Sequence, residues 1–526
     1  MLKRLFVLIS IFLAACGNSN TATPIIAPSP TAPAPDTTAQ EFLADWEHAD
    51  YAAMFKLISS TSQAALTPDT FANRYTAAQS TASVKFIRAE ARSALRAADT
   101  VHIGYHVEWD TVLFGTLKAD SEMVLTLENN QWRITWNDGL IWPDLEGGDA
   151  FQIQYSIPRR ANIYDRDGKG LAVDGKIVTI CLVPGQIQDE IKLLNGLSPI
   201  VNLSPDEIKA KYANAKPDWY VPIADVPFDV SQAHQDVLSL PGFDLRSKAV
   251  RVYDGLAPHT IGYVSLIAPE DVQKWKDLGY RGDEWVGASG LEQWGEPYLA
   301  GTHGATLSII SAKGDAIKVI AKQAAVPSRS IYTTLNRTLQ EATDSILAGH
   351  KGAIVVLDPN NGQVLAMSSY PDYNPNALIT ANVIDVPAET SFLNRATQGA
   401  YPPGSTFKPV TMAAGLEKGG LVPTSPFYDP GYWDGLGAGY RKVCWLASGH
   451  GNIDLQTGLS ASCDVVFYQV GKKVDDIDPD ILPTFARSFG LGSTTGITGL
   501  NEIAGLVPDP AWKQQTQNDP WRTGDA

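Results

Sequence analysis

Cysteine is scarce in this chain: there are four in 526 residues, Cys16, Cys181, Cys444 and Cys463. So few thiols exclude a disulfide-stapled scaffold and leave the fold to an ordinary hydrophobic core. A basic excess is lacking too. Lys and Arg total 41 against 57 Asp and Glu, a formal net charge of -16. A binder of phosphate backbones needs a basic surface, so nucleic acid is excluded as a partner. Charged residues make up 19% of the chain and apolar ones 44%, the balance of folded rather than disordered protein. No internal repeat is visible. The apolar run Leu5–Ala15 is too short to span a bilayer. The length points to about three domains.

What is present at the N-terminus is informative. Lys3 and Arg4 precede the apolar run, and Leu13-Ala14-Ala15-Cys16-Gly17 follows. A short positive region and an apolar stretch of this size make a secretory signal over residues 1–16. The small residues ahead of Cys16 resemble the lipobox of bacterial lipoproteins. That resemblance implies cleavage before Cys16, lipid on its thiol, and an extracytoplasmic protein held to the bacterial cell membrane. A plain signal peptide cut near a cysteine is the alternative. Residues 17–39, rich in Asn, Ser, Thr, Ala and Pro, read as a disordered tether. With Cys16 lipidated an odd number of thiols remains, and a Cys444–Cys463 bridge is an option that sequence leaves open.

Residues 40–147 read as helix first and strand after. Phe42, Trp46, Tyr51 and Phe55 recur at helical spacing. Val101–Trp109 and Met123–Glu128 alternate as half-buried strands, and Asn129-Asn130 before Trp132–Trp136 signals a hairpin. Helices followed by a curved antiparallel sheet make a small α+β cone, its aromatic stripe core material rather than a ligand pocket. It resembles the nuclear-transport-factor-type domain that opens the methicillin-resistance class of penicillin-binding proteins. Over residues 148–322, Ile157–Gly168, His259–Val264 and Val286–Glu292 resemble the elongated pedestal, or dimerisation, domain of class B members of that family. Arg159, Arg160 and Asp165 are expected there in buried ion pairs that fix domain orientation. Residues 323–526 form the third unit. Ser330–Leu335 reads as a strand and Leu339–Leu347 as a helix. Gly352–Asp358 and Gln363–Met367 read as strands joined by the tight turn Pro359–Gly362.

The chemistry is carried by Tyr401-Pro402-Pro403-Gly404-Ser405-Thr406-Phe407-Lys408 and, downstream, Ser462-Cys463-Asp464. A serine and a lysine three apart share one helix face, so the amine can reach the hydroxyl. Ser-x-x-Lys with Ser-x-Asn and Lys-Thr-Gly is the signature of penicillin-binding proteins and related β-lactamases. Here Asp464 stands in the asparagine position, and no Lys-Thr-Gly occurs. Pro402-Pro403-Gly404 breaks the chain and Pro409 belongs in a first turn, so a helix is expected to begin around Ser405 or Thr406. That places the serine at the positive helix end, where unpaired N–H groups can hold an oxyanion.

The whole, from about Gln40 on, resembles a class B penicillin-binding protein of the methicillin-resistance type. The implied fold is multidomain α+β: cone, pedestal, and a partial penicillin-recognising transpeptidase domain with an antiparallel sheet flanked by helices. The implied reaction is D,D-transpeptidation of peptidoglycan stem peptides, with β-lactams acting as substrate mimics. Ser405 would be nucleophile, Lys408 base, Ser462 proton shuttle and Asp464 orienter. No cofactor is needed for that reaction, and the implied partners are stem peptides, a lipid-anchored membrane and a cell-wall glycosyltransferase. Trp521-Arg522-Thr523-Gly524-Asp525 resembles the Trp-x-x-Gly-Asp segment that precedes a glycine-rich stretch in the family, with Lys-Thr-Gly expected tens of residues later. The chain is therefore expected to be a truncated and unstable form.

Asp429, Cys444 and His450, with Cys463 as a fourth, are candidate zinc ligands in the loop between the two motifs. Some rod-shape transpeptidases of the family have a metal near such a loop. A free thiol, a loop aspartate and a structural histidine are the alternative. Two other function classes share parts of this pattern: a β-lactam sensor or hydrolase, and a non-catalytic cell-wall scaffold lipoprotein. An ionised Asp464 accepts hydrogen bonds only and favours the charged form of Lys408. Acylation is therefore expected to have an alkaline optimum that Asp464→Asn moves to lower pH. A pH–rate profile unchanged by that substitution would contradict this.

Overall fold

The computed structural model describes residues 34–97, 100–380 and 392–525. The signal segment, the lipidation candidate Cys16 and the tether up to residue 33 lie outside the described residues. No helix among the described residues is long and apolar enough to cross a membrane. The described residues divide into two compact units, those within 34–154 with 306–323, and those within 155–305 with 324–525.

In the first unit, α1 (Pro35–Glu47) starts inside the stretch that composition assigns to the tether. Proline is tolerated in a first turn, and Thr38, Ala39, Phe42, Leu43 and Trp46 share a buried face, so packing extends the helix backwards. The aromatic stripe then splits between two helices. Ala49 turns the chain with a positive φ of 56°, and the Asp50 side chain caps α2 (Tyr51–Leu57) by accepting from the Ala53 N–H. Ser59 and Thr67 cap α3 (Ser60–Ala65) and α4 (Pro68–Thr81) in the same way.

A four-stranded antiparallel sheet follows in the order β1 (Val84–Ala97), β2 (Thr100–Thr111), β3 (Gly115–Glu128), β4 (Gln131–Thr135). Strict alternation along β2 buries Val101, Ile103, Tyr105, Val107 and Trp109. Asn129 and Asn130 both have positive φ, which two-residue hairpin turns require. Trp46 meets Tyr75 and Trp109 edge-on at 5.5 and 6.4 Å, so the concave side of the cone is filled. Residues 306–323, of which 306–322 are assigned above to the pedestal, group with this unit. Leu307 and Ile309, from the strand Gly304–Ile310, complete its core. Contiguity in sequence conceals that return.

The second unit holds a five-stranded sheet in which Gly170–Leu182 is flanked by Ile163–Tyr164, Val221–Pro227 and Phe243–Tyr253. The strand read over Ser330–Leu335 is only Ile331–Tyr332, and it joins this sheet by pairing parallel with Ile163–Tyr164. Charge is buried around Glu292, which is 0% exposed. Glu292 Oε2 accepts from Arg160 Nη2 at 2.7 Å and Oε1 from Arg251 Nε at 2.6 Å. Arg160 Nη1 also reaches Glu296 Oε2 at 2.7 Å. Asp165 accepts from the Asp167 and Lys169 N–H groups and from Arg337 Nε at 3.1 Å. That last bond ties the pedestal opening to the helix Arg337–Leu347. Arg159 departs from expectation: its side chain is 83% exposed and pairs with Asp174 at the surface. The buried carboxylates Glu292, Glu296 and Asp165 are already paired with Arg160, Arg251 and Arg337.

Helix Arg337–Leu347 packs its polar face inward on the antiparallel hairpin Gly352–Leu357 and Val364–Tyr370. Gln340 accepts from the Met367 N–H at 2.8 Å and donates to the Met367 carbonyl at 3.2 Å. A helical lobe follows, in which Lys408–Glu417, Asp464–Ile477 and Ile481–Ser488 bury Ala414, Val470, Val474 and Leu482.

Removing one member of a buried ion network leaves its partners charged and unpaired. Glu292→Ala is expected to cost about 3–5 kcal/mol of the second unit's stability. Urea unfolding followed by tryptophan fluorescence measures it, and a midpoint equal to that of the unmodified chain would contradict it.

Candidate active site

Gly404 turns the chain with φ +57°. Residues Gly404–Phe407 form one 3-10 turn, and the α-helix proper runs Lys408–Glu417. Pro409 has no N–H, so the Ser405 carbonyl cannot receive the bond from four residues on. It takes the Lys408 N–H instead, which makes the turn 3-10. Ser405 is exposed on that turn, just ahead of the helix.

Lys408 is 8% exposed. Its Nζ donates to the Ser462 carbonyl at 2.6 Å, Ser462 Oγ at 3.1 Å and Asp464 Oδ1 at 2.7 Å. Three acceptors use the three hydrogens of an ammonium. The Phe467 ring lies below it, 5.7 Å from Nζ to the centroid. Lys408, Ser462 and Asp464 are thus brought together. Ser405 is one turn away, and its hydroxyl is not among the acceptors of Lys408 in the described residues.

The acceptors are set by a helix ending. Leu455–Ser460 stops at Ala461, and the Ser462 N–H returns to the Leu459 carbonyl while the Cys463 N–H returns to Gly458. This pair of bonds is a Schellman motif, whose left-handed position normally takes glycine. Here it is Ser462, at φ +51°. The turn aims both oxygens of Ser462 at the amine. Asp464 opens the next helix, where a carboxylate is favoured by the helix dipole. Its Oδ2 accepts from the Trp445 N–H at 3.2 Å, and the Trp445 indole donates to the Ala461 carbonyl at 3.0 Å. Sequence reasoning missed Trp445, and only its place directly after Cys444 could have marked it.

Behind this group, Asp429, Cys444, His450 and Cys463 place their donor atoms within 4.8 Å of one another. Gly449 allows the approach: a Cβ there would fall 2.3 Å from the Asp429 carbonyl oxygen. His450 Nδ1 lies 2.7 Å from Asp429 Oδ2 and 3.6 Å from Cys444 Sγ. Cys463 Sγ lies 3.2 Å from Asp429 Oδ2 and 4.0 Å from Cys444 Sγ, so no disulfide joins the thiols. A tetrahedral zinc site with ordinary bond lengths has donor–donor edges of about 3.3–3.8 Å. The donor set is one that zinc takes, and of the printed separations the 3.6 Å between His450 and Cys444 lies in that range; those of 2.7, 3.2 and 4.0 Å would have to shift by less than 1 Å to meet it. Burial pushes the Asp429 carboxyl up, but hydrogen bonds from His450, the Gly431 N–H and the two thiols outweigh it and hold it well below the carboxylate range. Burial, and then the Asp429 carboxylate, push the Cys463 thiol up to about 12.

The C-terminal segment is fastened to the same lobe. The Trp521 indole donates to Asp475 Oδ1 at 2.9 Å, and Lys513 pairs with Asp519 at 2.9 Å and with Asp525.

Family models match three consecutive blocks: an NTF2-like N-terminal transpeptidase domain over 34–149, a penicillin-binding protein dimerisation domain over 155–333, and a penicillin-binding protein transpeptidase domain over 352–520. With the folds above, they make the chain a class B penicillin-binding protein with an NTF2-like domain in front. It is 32% identical over 386 residues to the peptidoglycan D,D-transpeptidase MrdA of Escherichia coli (strain K12), an overlap of 70% of this chain and 60% of that protein. The chain thus spans about 60% of the length of the MrdA relatives it matches. It is 27% identical over 478 residues to penicillin-binding protein 3 of Bacillus subtilis (strain 168), covering 87% of this chain and 70% of that one. Among solved structures, the penicillin-binding protein PBP2 of Helicobacter pylori in complex with MreC is similar at a TM-score of 0.54 and 25% identity, over 71% of this chain and 72% of that chain. A chain of a peptidoglycan synthase complex is similar at 0.50 and 27% identity, over 72% and 67%.

The turn at Ser462 gives opposite signs for stability and chemistry. Ser462→Gly is expected to raise stability by roughly 1 kcal/mol, because glycine adopts the left-handed region without strain. It is expected at the same time to slow β-lactam acylation by removing the hydroxyl. Ser462→Ala should slow acylation without the gain in stability. Thermal unfolding and acylation rate, measured on both variants, check this. A Ser462→Gly chain less stable than Ser462→Ala would contradict it.

Proposed function

We propose that this chain carries out D,D-transpeptidation in peptidoglycan synthesis. Ser405 Oγ attacks the carbonyl of the penultimate D-alanine of a stem peptide, and the terminal D-alanine leaves. The amine of a second stem peptide then attacks the ester, releasing Ser405 and forming the cross-link. Lys408, after giving up one of its three hydrogens, takes the serine proton, Ser462 passes a proton to the leaving amine, and Asp464 orients both. The observation that carries this is Lys408 held between Ser462 and Asp464 beside the exposed Ser405 turn. The relatives named as D,D-transpeptidases support it.

The same reading covers what the cell would supply. β-Lactams acylate Ser405 as substrate mimics, and the chain is extracytoplasmic, anchored through lipid on Cys16. A glycosyltransferase partner is supported by the similar peptidoglycan synthase complex. Kinship to the methicillin-resistance type, and with it antibiotic resistance, is supported by the NTF2-like domain. Asp429, Cys444, His450 and Cys463 would hold a zinc ion as a structural tie, outside the reaction itself. The scaffold reading is favoured by one observation, that Lys408 does not contact the Ser405 hydroxyl.

Labelling with a fluorescent penicillin separates these. A covalent band is expected from the chain, absent in Ser405→Ala and formed about 10²–10⁴-fold more slowly in Lys408→Met. A band that persists in Ser405→Ala would refute the nucleophile. Absence of labelling in a folded chain would favour the scaffold.

A further inference from the structure

We propose that Cys444 and Cys463 are a redox-convertible pair, closing to a disulfide when their four-residue cluster is empty and kept apart when it holds a zinc-class cation. The second half rests on the zinc reading above; the first does not. The two sulfurs face each other at 4.0 Å. A disulfide spans about 2.05 Å, so closure needs a shift of about 2 Å. Cys463 is the fixed partner. It is 0% exposed, its N–H is bonded to Gly458 at 2.9 Å, and it leads into the helix Asp464–Ile477. Cys444 also has its N–H bonded, to the Gly431 carbonyl at 2.9 Å, but it leads into no helix and is the less constrained of the two. It is 4% exposed and lies between Val443 and Trp445, which are 69% and 64% exposed, so it is the thiol on the solvent side of the cluster.

The oxidant class is a peroxide. One thiol attacks hydrogen peroxide, the O–O bond breaks, and a sulfenic acid and one water form. The second sulfur attacks the sulfenic sulfur, the S–S bond forms as the S–O bond breaks, and a second water leaves. Two electrons pass from the thiols to the peroxide, and both thiol protons end in water. A cation on the cluster occupies the same two sulfurs, so disulfide and cation exclude each other. The effect reaches the Lys408 group, because Cys463 separates Ser462 from Asp464 and the residue after Cys444 donates to Asp464 Oδ2.

The experiment treats the full chain with chelator, divides it, reloads one half with Zn²⁺, and exposes both to hydrogen peroxide. Non-reducing digestion and mass spectrometry then follow the peptides, with zinc content measured on the same samples. The expected result is a reductant-sensitive peptide pair joining Cys444 to Cys463 in the metal-free half, absent in Cys444→Ser. With zinc about 100-fold above its dissociation constant, that pair should form about 100-fold more slowly. Metal-free thiols that go to sulfinic and sulfonic acids without the linked pair would overturn the proposal. Equal rates in a half shown to contain zinc would overturn the protection. A linked pair in a chain that never takes up zinc would uphold the thiol pair and overturn the zinc reading.

Discussion

The Lys408 amine has three hydrogens and three acceptors, and the helical lobe is organised to keep those acceptors where they are. Two of them belong to one residue in a left-handed turn, which L-residues adopt only at a cost. The turn persists because both flanks are fixed: a helix ends into it through two backbone bonds, and another helix starts one residue later. A charged amine this deeply set would be unfavourable without full pairing. Site and core are therefore one structure, since Cys463 and Phe467 are buried in the core beside these acceptors.

The same rule governs the pedestal. Glu292 is wholly buried yet bonded to two arginines, while Glu296 accepts from Arg160, from the Gly287 N–H and from the Tyr280 hydroxyl. Such groups add little net stability compared with apolar packing, but they tolerate no half-measures. They fix which surfaces meet, and through Arg337 to Asp165 the pairing extends to the helix Arg337–Leu347.

Much of this was legible in the sequence where local rules dominate. The alternation along β2, the Asn129-Asn130 turn and the hairpin after helix Arg337–Leu347 follow from side-chain period and turn chemistry. The pairing of Lys408 with Ser462 and Asp464 was readable as motif. The rest depended on distance in the fold. Ser462 occupies a position where glycine would be guessed, Arg159 pairs with Asp174 at the surface and not with a buried carboxylate, and residues 306–323 return to a core begun far earlier. Trp445 carries no local signal, because its contacts lie 16 and 19 residues further on, at Ala461 and Asp464.

Gln340 gives the hairpin Gly352–Leu357 and Val364–Tyr370 a direction. Its amide accepts from the Met367 N–H and donates to the Met367 carbonyl, as a neighbouring strand would. Along the same edge, the Leu365 carbonyl takes the Asn336 N–H and the Val364 carbonyl takes the Thr334 hydroxyl. The outer margin from Val364 to Met367 is thereby occupied by side chains and loop, and a strand arriving there would find those hydrogen bonds already made. Growth of this sheet is one-sided: any further strand must dock along Gly352–Leu357.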